Sequence, residues 1–122
     1  MAQINRIRVE ENFHLNEFEC PHCKTVKLCP ELLDRLQKMR SEAGAPLFIN
    51  SGYRCPHYNR EVSGVPGSQH VEGTAADIRI QGMSVSQLHN MALRYFPDGG
   101  VGLYNSFVHV DTRGHQARWD YS

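Results

Sequence analysis

Ser51 to Asp77 reads SGYRCPHYNREVSGVPGSQHVEGTAAD, and the two ends of this stretch decide the fold. Leu47-Phe48-Ile49-Asn50 leads into it as a short buried strand, and Ala75 to Ile80 leaves it as another. In the second strand, alternation puts Ala75, Asp77 and Arg79 on one face and Ala76, Ile78 and Ile80 on the other. Asp77 therefore opposes the apolar face. Between the strands a short helix is expected over Pro56 to Val62, after which Ser63, Gly64, Pro66, Gly67 and Ser68 enforce a loop. Arg54, His70 and Asp77 thus sit in a Gly/Ser/Pro-rich frame between rigid neighbours, where functional side chains are commonly carried. A later piece, Ser106-Phe107-Val108-His109-Val110-Asp111, puts Phe107, His109 and Asp111 on one strand face and Val108 and Val110 on the other. His70, Asp77 and His109 match the three-ligand set of a catalytic zinc site, which keeps one position open.

Outward from this stretch the chain alternates helix and strand. Pro30 suits a first helical position, and Leu32, Leu36, Met39 and Ala43, widened by Leu33, form one apolar stripe that Gly44 and Pro46 end. Asp34, Arg35, Lys38 and Arg40 lie mostly on the opposite, solvated face. Ser84-Val85-Ser86-Gln87 is a capping box, and Leu88, Met91, Ala92 and Tyr95 make the stripe of a second helix ending before Pro97. Gly99 and Gly100 lead into a hairpin-like segment, Val101 to Tyr104 and Phe107 to Thr112. Residues 1 to 19, with Ile4, Ile7, Val9, Phe13, Leu15 and Phe18, are too irregular for a defined element and are expected to lie as an arm across the core. The tail from Arg113 reads as a polar run closed by Trp119 and Tyr121.

The 122 residues suit one domain spanning 1–122. Thirteen basic and thirteen acidic side chains cancel, so no global charge steers the chain toward nucleic acid or an anionic membrane. No apolar run approaches the roughly 20 residues that span a bilayer. MAQINRIRVEENFHL has neither a signal core nor a cleavage site, so the expectation is a monomer made in the cytoplasm. A substrate outside the membrane would then be reached after lysis or by another export route, as in a phage or prophage context.

Four cysteines are present. Cys20-Pro21-His22-Cys23 has the local spacing of a structural zinc site, whereas Cys29 and Cys55 stand far apart. Reduced, partly buried thiols are the plain reading, and a structural metal held by Cys20, Cys23, Cys29 and Cys55, or by a mixed Cys/His set, is the alternative. Without an export signal a disulfide is disfavoured. Any lone histidine is more often a surface or hydrogen-bonded residue than a ligand, so His14, His22, His57, His89 and His115 receive no role. Asp77 has a plain reading too, as the ion-pair partner of Arg54 or Arg79.

Taken together, Ser51-Gly52-Tyr53-Arg54, Ser68-Gln69-His70, Gly73 with Ala75-Ala76-Asp77-Ile78, and Phe107-Val108-His109-Val110-Asp111 resemble the signature of the zinc D-alanyl-D-alanine carboxypeptidase family. That family includes phage L-alanyl-D-glutamate endopeptidases, vancomycin-resistance dipeptidases and the fold of the hedgehog signalling domain. The likeness extends to its short single-domain branch through Phe13-x-Leu15-x-Glu17-Phe18 and Pro30-Glu31-Leu32-Leu33. It implies an α+β fold, with a small antiparallel sheet, helices on one side and a zinc cleft on the other. It further implies that His70, Asp77 and His109 bind Zn2+, and that Arg54, with Ser68 and Gln69 beside it, receives a carboxylate or carbonyl of a peptidoglycan peptide. The implied activity is hydrolysis of a stem-peptide bond, as a carboxypeptidase or an endopeptidase. A binding domain of the same fold, stabilised by zinc and catalytically weak or inactive, is the alternative.

One departure stands out. Many relatives carry a carboxylate base three residues before the last zinc histidine and some a histidine two before it, where this chain has Ser106 and Phe107. Asp111, on the face of His109, is the nearest replacement and Glu72 the second. Asp111 could instead only orient His109, as carboxylates behind metal-binding histidines do.

Overall fold

The computed structural model describes residues 7–65 and 67–122; Ile4 of the expected arm and Pro66 of the expected loop lie outside them. The arm is more ordered than its sequence suggests. Strands β1 (Arg8–Glu10) and β2 (Phe13–His14) pair antiparallel, and a 3-10 turn at Leu15–Phe18 follows. Phe13 and Phe18 are anchored in the core with ring centroids 5.8 Å apart. The arm is also tied by polar contacts to helix α1 (Pro30–Ala43), where Gln37 accepts from the Asn12 backbone and donates to its side chain, both at 2.8 Å.

Helix α1 buries Leu32, Leu33, Leu36 and Met39 and stops at Gly44, which takes the left-handed conformation at φ 64°. Strand β3 (Leu47–Ser51) follows, then α2 (Pro56–Glu61), a single helical turn α3 (Gln69–Glu72), and β4 (Ala75–Ile80). Helix α4 (Val85–Tyr95) begins with the expected capping box, the Ser84 hydroxyl accepting from Gln87 N and the Gln87 side chain from Ser84 N. Strands β5 (Gly100–Leu103), β6 (Val108–Asp111) and β7 (Ala117–Asp120) complete the chain.

The main sheet has the order β3-β4-β6-β5-β7. The α+β class and the antiparallel pairing of the first four strands agree with the sequence reading, while β7 runs parallel to β5 and makes the sheet mixed. Ala76, Ile78, Ile80, Val108 and Val110 point into the core shared with α1 and α4. Because facing residues alternate in step along paired strands, the register fixes what lies on the other side. Ser51 faces Asp77, Asp77 faces His109, His109 faces Gly102, and Gly102 faces Trp119. This row crosses the whole sheet. A side chain at Gly102 would collide with the Trp119 indole, so glycine there lets Trp119 lie beside His109, with ring centroids 5.0 Å apart.

Candidate functional site

A cleft of about 450 Å³ opens over that row. It is walled by the loop after α2, by α3, and by Tyr104, Phe107, Arg113 and Trp119 on the sheet's far side. His70 reaches it from α3, not from the strand-bordering loop expected from sequence. Ser68 caps this turn, its hydroxyl accepting from His70 N at 3.2 Å, and Gly73 closes it at φ 76°. One turn of helix thus holds the imidazole over β4.

The side chains of His70, Asp77 and His109 are buried, and their donor atoms lie within 4.8 Å of one another. Their outer hydrogen bonds determine what faces inward. His70 Nδ1 is 2.7 Å from the Gly52 carbonyl, which can only accept, so Nδ1 carries the proton and Nε2 presents its lone pair to Asp77 Oδ1 at 3.2 Å. His109 Nε2 is 2.8 Å from Asp111 Oδ2, which leaves Nδ1 facing the same Asp77 oxygen at 3.0 Å. With both imidazoles neutral, three acceptors converge on one point. Only a proton or a cation relieves that arrangement, and two imidazole nitrogens with a carboxylate oxygen suit a zinc-type ion. The residues present therefore fit the metal that the sequence resemblance implies.

The electrostatics follow from the same contacts. In the metal-free site, with protons on the imidazoles, burial pushes the Asp77 carboxyl upward, but hydrogen bonds from His109 and His70 outweigh it and hold the group well below the usual carboxylate range. Burial lowers the pKa of His109, and the Asp111 and Asp77 carboxylates on its two sides raise it by more, to above its ordinary value.

Asp111 does not face the cleft. It is fully buried, and Oδ1 accepts from Gly100 N (2.8 Å), Arg113 N (3.1 Å) and Arg113 Nε (2.9 Å), while Oδ2 accepts from His109 Nε2 and from Arg113 Nη2 at 2.7 Å. Burial raises its pKa, and His109 and Arg113 more than compensate, so the carboxyl stays ionised far into acid. Glu72 is exposed and does not line the cleft, and Ser106 is exposed as well. Among the described residues that line it, Asp77 is the one carboxylate.

Arg54 does line the cleft. Its Nη2 is 3.4 Å from Asp77 Oδ2, and its Nε donates to Ser51 Oγ at 3.2 Å. These contacts leave the guanidinium edge partly accessible. Ser68 and Gln69 also border the cleft, although Ser68 is occupied as the α3 cap and Gln69 Oε1 accepts from the Thr74 hydroxyl at 2.8 Å. The sequence reading missed Arg113, Trp119 and Tyr104. Arg113 packs over the Trp119 ring at 5.3 Å, and Trp119 donates to the Tyr104 hydroxyl at 2.9 Å. Four residues of β7 carry too short an alternation to announce a strand, and the parallel pairing that brings Trp119 back is invisible locally.

Of the four cysteines, the fold gathers Cys20, Cys23 and Cys55. Cys29 lies elsewhere, at the N-cap of α1, where its N–H donates to Gly73 O at 3.0 Å and its sulfur is 3.9 Å from the Thr112 hydroxyl. All four are free thiols.

The site is thus a buried His-Asp-His group at the base of an open cleft on the sheet of an α+β fold. Residues 11–111 match the family described as Peptidase M15. The chain belongs to the peptidase M15 family. It is 34% identical over 98 residues to the peptidoglycan L,D-endopeptidase MepK of Escherichia coli strain K12, covering 73% of this chain and 53% of that protein. A probable peptidoglycan L,D-endopeptidase MepK from Haemophilus influenzae is 32% identical over 96 residues, covering 70% and 51%. The chain thus spans about half the length of the curated relatives it matches. No helix among the described residues is long and apolar enough to cross a membrane.

Proposed function

We propose that this chain is a zinc-dependent peptidase that hydrolyses a peptide bond in the stem peptides of bacterial peptidoglycan. The observation that carries this reading is the convergence of the His70 Nε2, Asp77 Oδ1 and His109 Nδ1 lone pairs at the base of the cleft. An endopeptidase is favoured over a carboxypeptidase because both named relatives are described as endopeptidases. All three donors come from one chain, so the site needs no second copy.

A zinc ion held by these residues would supply an activated water and polarise the scissile carbonyl. The chain's own groups bind and orient. Arg54, planar and always charged, would take a carbonyl or carboxylate of the peptide, a role supported by its position in the cleft beside Asp77. Gly52 O and the Asp111 carboxylate fix the two imidazole tautomers, so Asp111 is read as a positioning residue and not as a base. Tyr104, Phe107 and Trp119 give the cleft an aromatic wall against which the peptide can exclude water.

Purified peptidoglycan incubated with the protein and analysed by mass spectrometry tests the activity. Peptide fragments should appear with metal-loaded protein, stop after chelation and return with zinc. Metal analysis of His70→Ala, Asp77→Ala and His109→Ala tests the ligands, and full zinc occupancy in all three at limiting metal would overturn the assignment. If zinc-loaded protein binds peptidoglycan without releasing any fragment, the binding-domain alternative holds. What favours that alternative is the lack, among the described cleft residues, of a carboxylate other than Asp77.

A further inference from the structure

Cys20, Cys23 and Cys55 form a second donor group separate from the cleft, with all three sulfurs within 4.8 Å of one another. Two distant chain segments build it. In the first, Cys20 N donates to Thr25 O at 2.8 Å and Lys24 N to Cys20 O at 2.9 Å, a tight turn that Lys24 completes in the left-handed conformation at φ 62°. Non-glycine residues seldom adopt that conformation without a local reason. The turn brings Cys20 and Cys23 to one side, facing Cys55. In the second segment Cys55 caps α2, its sulfur accepting from Tyr58 N at 3.4 Å. His22, between the first two cysteines, puts Nδ1 3.9 Å from Cys55 Sγ.

We propose that Cys20, Cys23 and Cys55, completed by His22, form a structural zinc site. Three soft thiolates with one imidazole make a tetrahedral donor set selective for zinc among the common divalent ions. Zinc–sulfur bonds of about 2.3 Å need a modest closing of the three sulfurs, and His22 must turn in from its present place beside His57 and Glu61. The need for such a tie is local. Residues 20–29 contain neither helix nor strand, yet they flank the segment that supplies the cleft. Tyr53 N donates to Phe18 O at 2.8 Å and Arg54 N to His70 O at 3.1 Å, so a metal at Cys55 would clamp the backbone from which Arg54 enters the cleft.

Cobalt(II) titration of the reduced, metal-free protein under anaerobic conditions separates this site from the cleft. Two ions per chain are expected, one of them with thiolate-to-cobalt charge-transfer absorption, which nitrogen and carboxylate donors do not produce. Cys23→Ser, at an exposed position, should lose that absorption and one ion, whereas His70→Ala should keep the absorption and lose the other ion. In the unmutated chain, zinc should protect Cys20, Cys23 and Cys55 from alkylation and leave Cys29 unaffected. Binding of one ion without charge-transfer absorption, or equal alkylation of all four cysteines with and without zinc, would overturn the proposal and leave the reading of the cleft untouched.

Discussion

Replacing Asp111 with asparagine separates a base from a positioning group, because the amide cannot serve both of the carboxylate's edges. Oδ1 accepts from three N–H groups and Oδ2 from two. Asparagine has one oxygen, so its amide settles with the oxygen toward Gly100 and the NH2 toward His109 and Arg113 Nη2. His109 Nε2 then faces a donor and must give up its proton, which moves to Nδ1, the atom that faces Asp77. Zinc affinity should fall by roughly 10 to 100-fold, as when other carboxylates behind metal-binding histidines are removed. The metal-free protein should also lose about 1 to 3 kcal/mol of stability, since a partly buried donor of Arg113 loses its acceptor beside the buried Asp111 side chain. Competition with a chromophoric chelator gives the affinity, and chemical unfolding of the metal-free protein gives the stability. A base would behave differently: zinc would stay bound and kcat would drop by about 10² to 10⁴-fold. Unchanged zinc affinity with such a drop would refute the positioning role.

Arg54→Lys keeps the charge and loses the planar fork, so kcat/KM on peptidoglycan fragments should fall about 10 to 100-fold, the loss of a charge-assisted hydrogen bond, with zinc content unchanged; unchanged kinetics would make Arg54 a structural partner of Asp77. Gly52→Ala drives a methyl into the Phe18 backbone and should cost about 1 to 3 kcal/mol. Because the Gly52 carbonyl orients His70, zinc affinity should fall with it, and a variant with normal unfolding and normal affinity would show that the carbonyl does not hold the ring. The raised pKa of His109 makes protons compete with metal, so zinc affinity should decline as pH falls, beginning above the ordinary histidine value of about 6.5. The depressed pKa of Asp111 acts in the opposite range. Its contribution to the stability of the metal-free protein is present above the unfolded value of about 3.9 and is lost as pH falls through the folded one. Acid unfolding of Asp111→Asn should lack that component, and identical acid profiles for the two proteins would contradict it.

The sequence alone determined the elements whose signals are local. Pro30 and Gly44 bound one helix, the Ser84–Gln87 box starts another, and strict alternation in Ala75–Ile80 and Val108–Asp111 turns Asp77 and His109 away from the apolar face. Short-range steric and hydrogen-bonding rules suffice for those. Pairing across the chain did not yield to the same reading. The register that sets Asp77 opposite His109, the parallel return of β7 that brings Trp119 to the cleft, and the meeting of Cys20 and Cys23 with Cys55 in place of Cys29 all join residues distant in sequence. Asp111 shows the difference most clearly. Alternation assigned it to the face of His109, but its burial against Gly100 and Arg113, and so its service to the imidazole in place of the cleft, comes from how β5 and the segment after β6 close around it. A side chain's face is set by its own strand, whereas its partners are set by whatever the rest of the fold packs against that face.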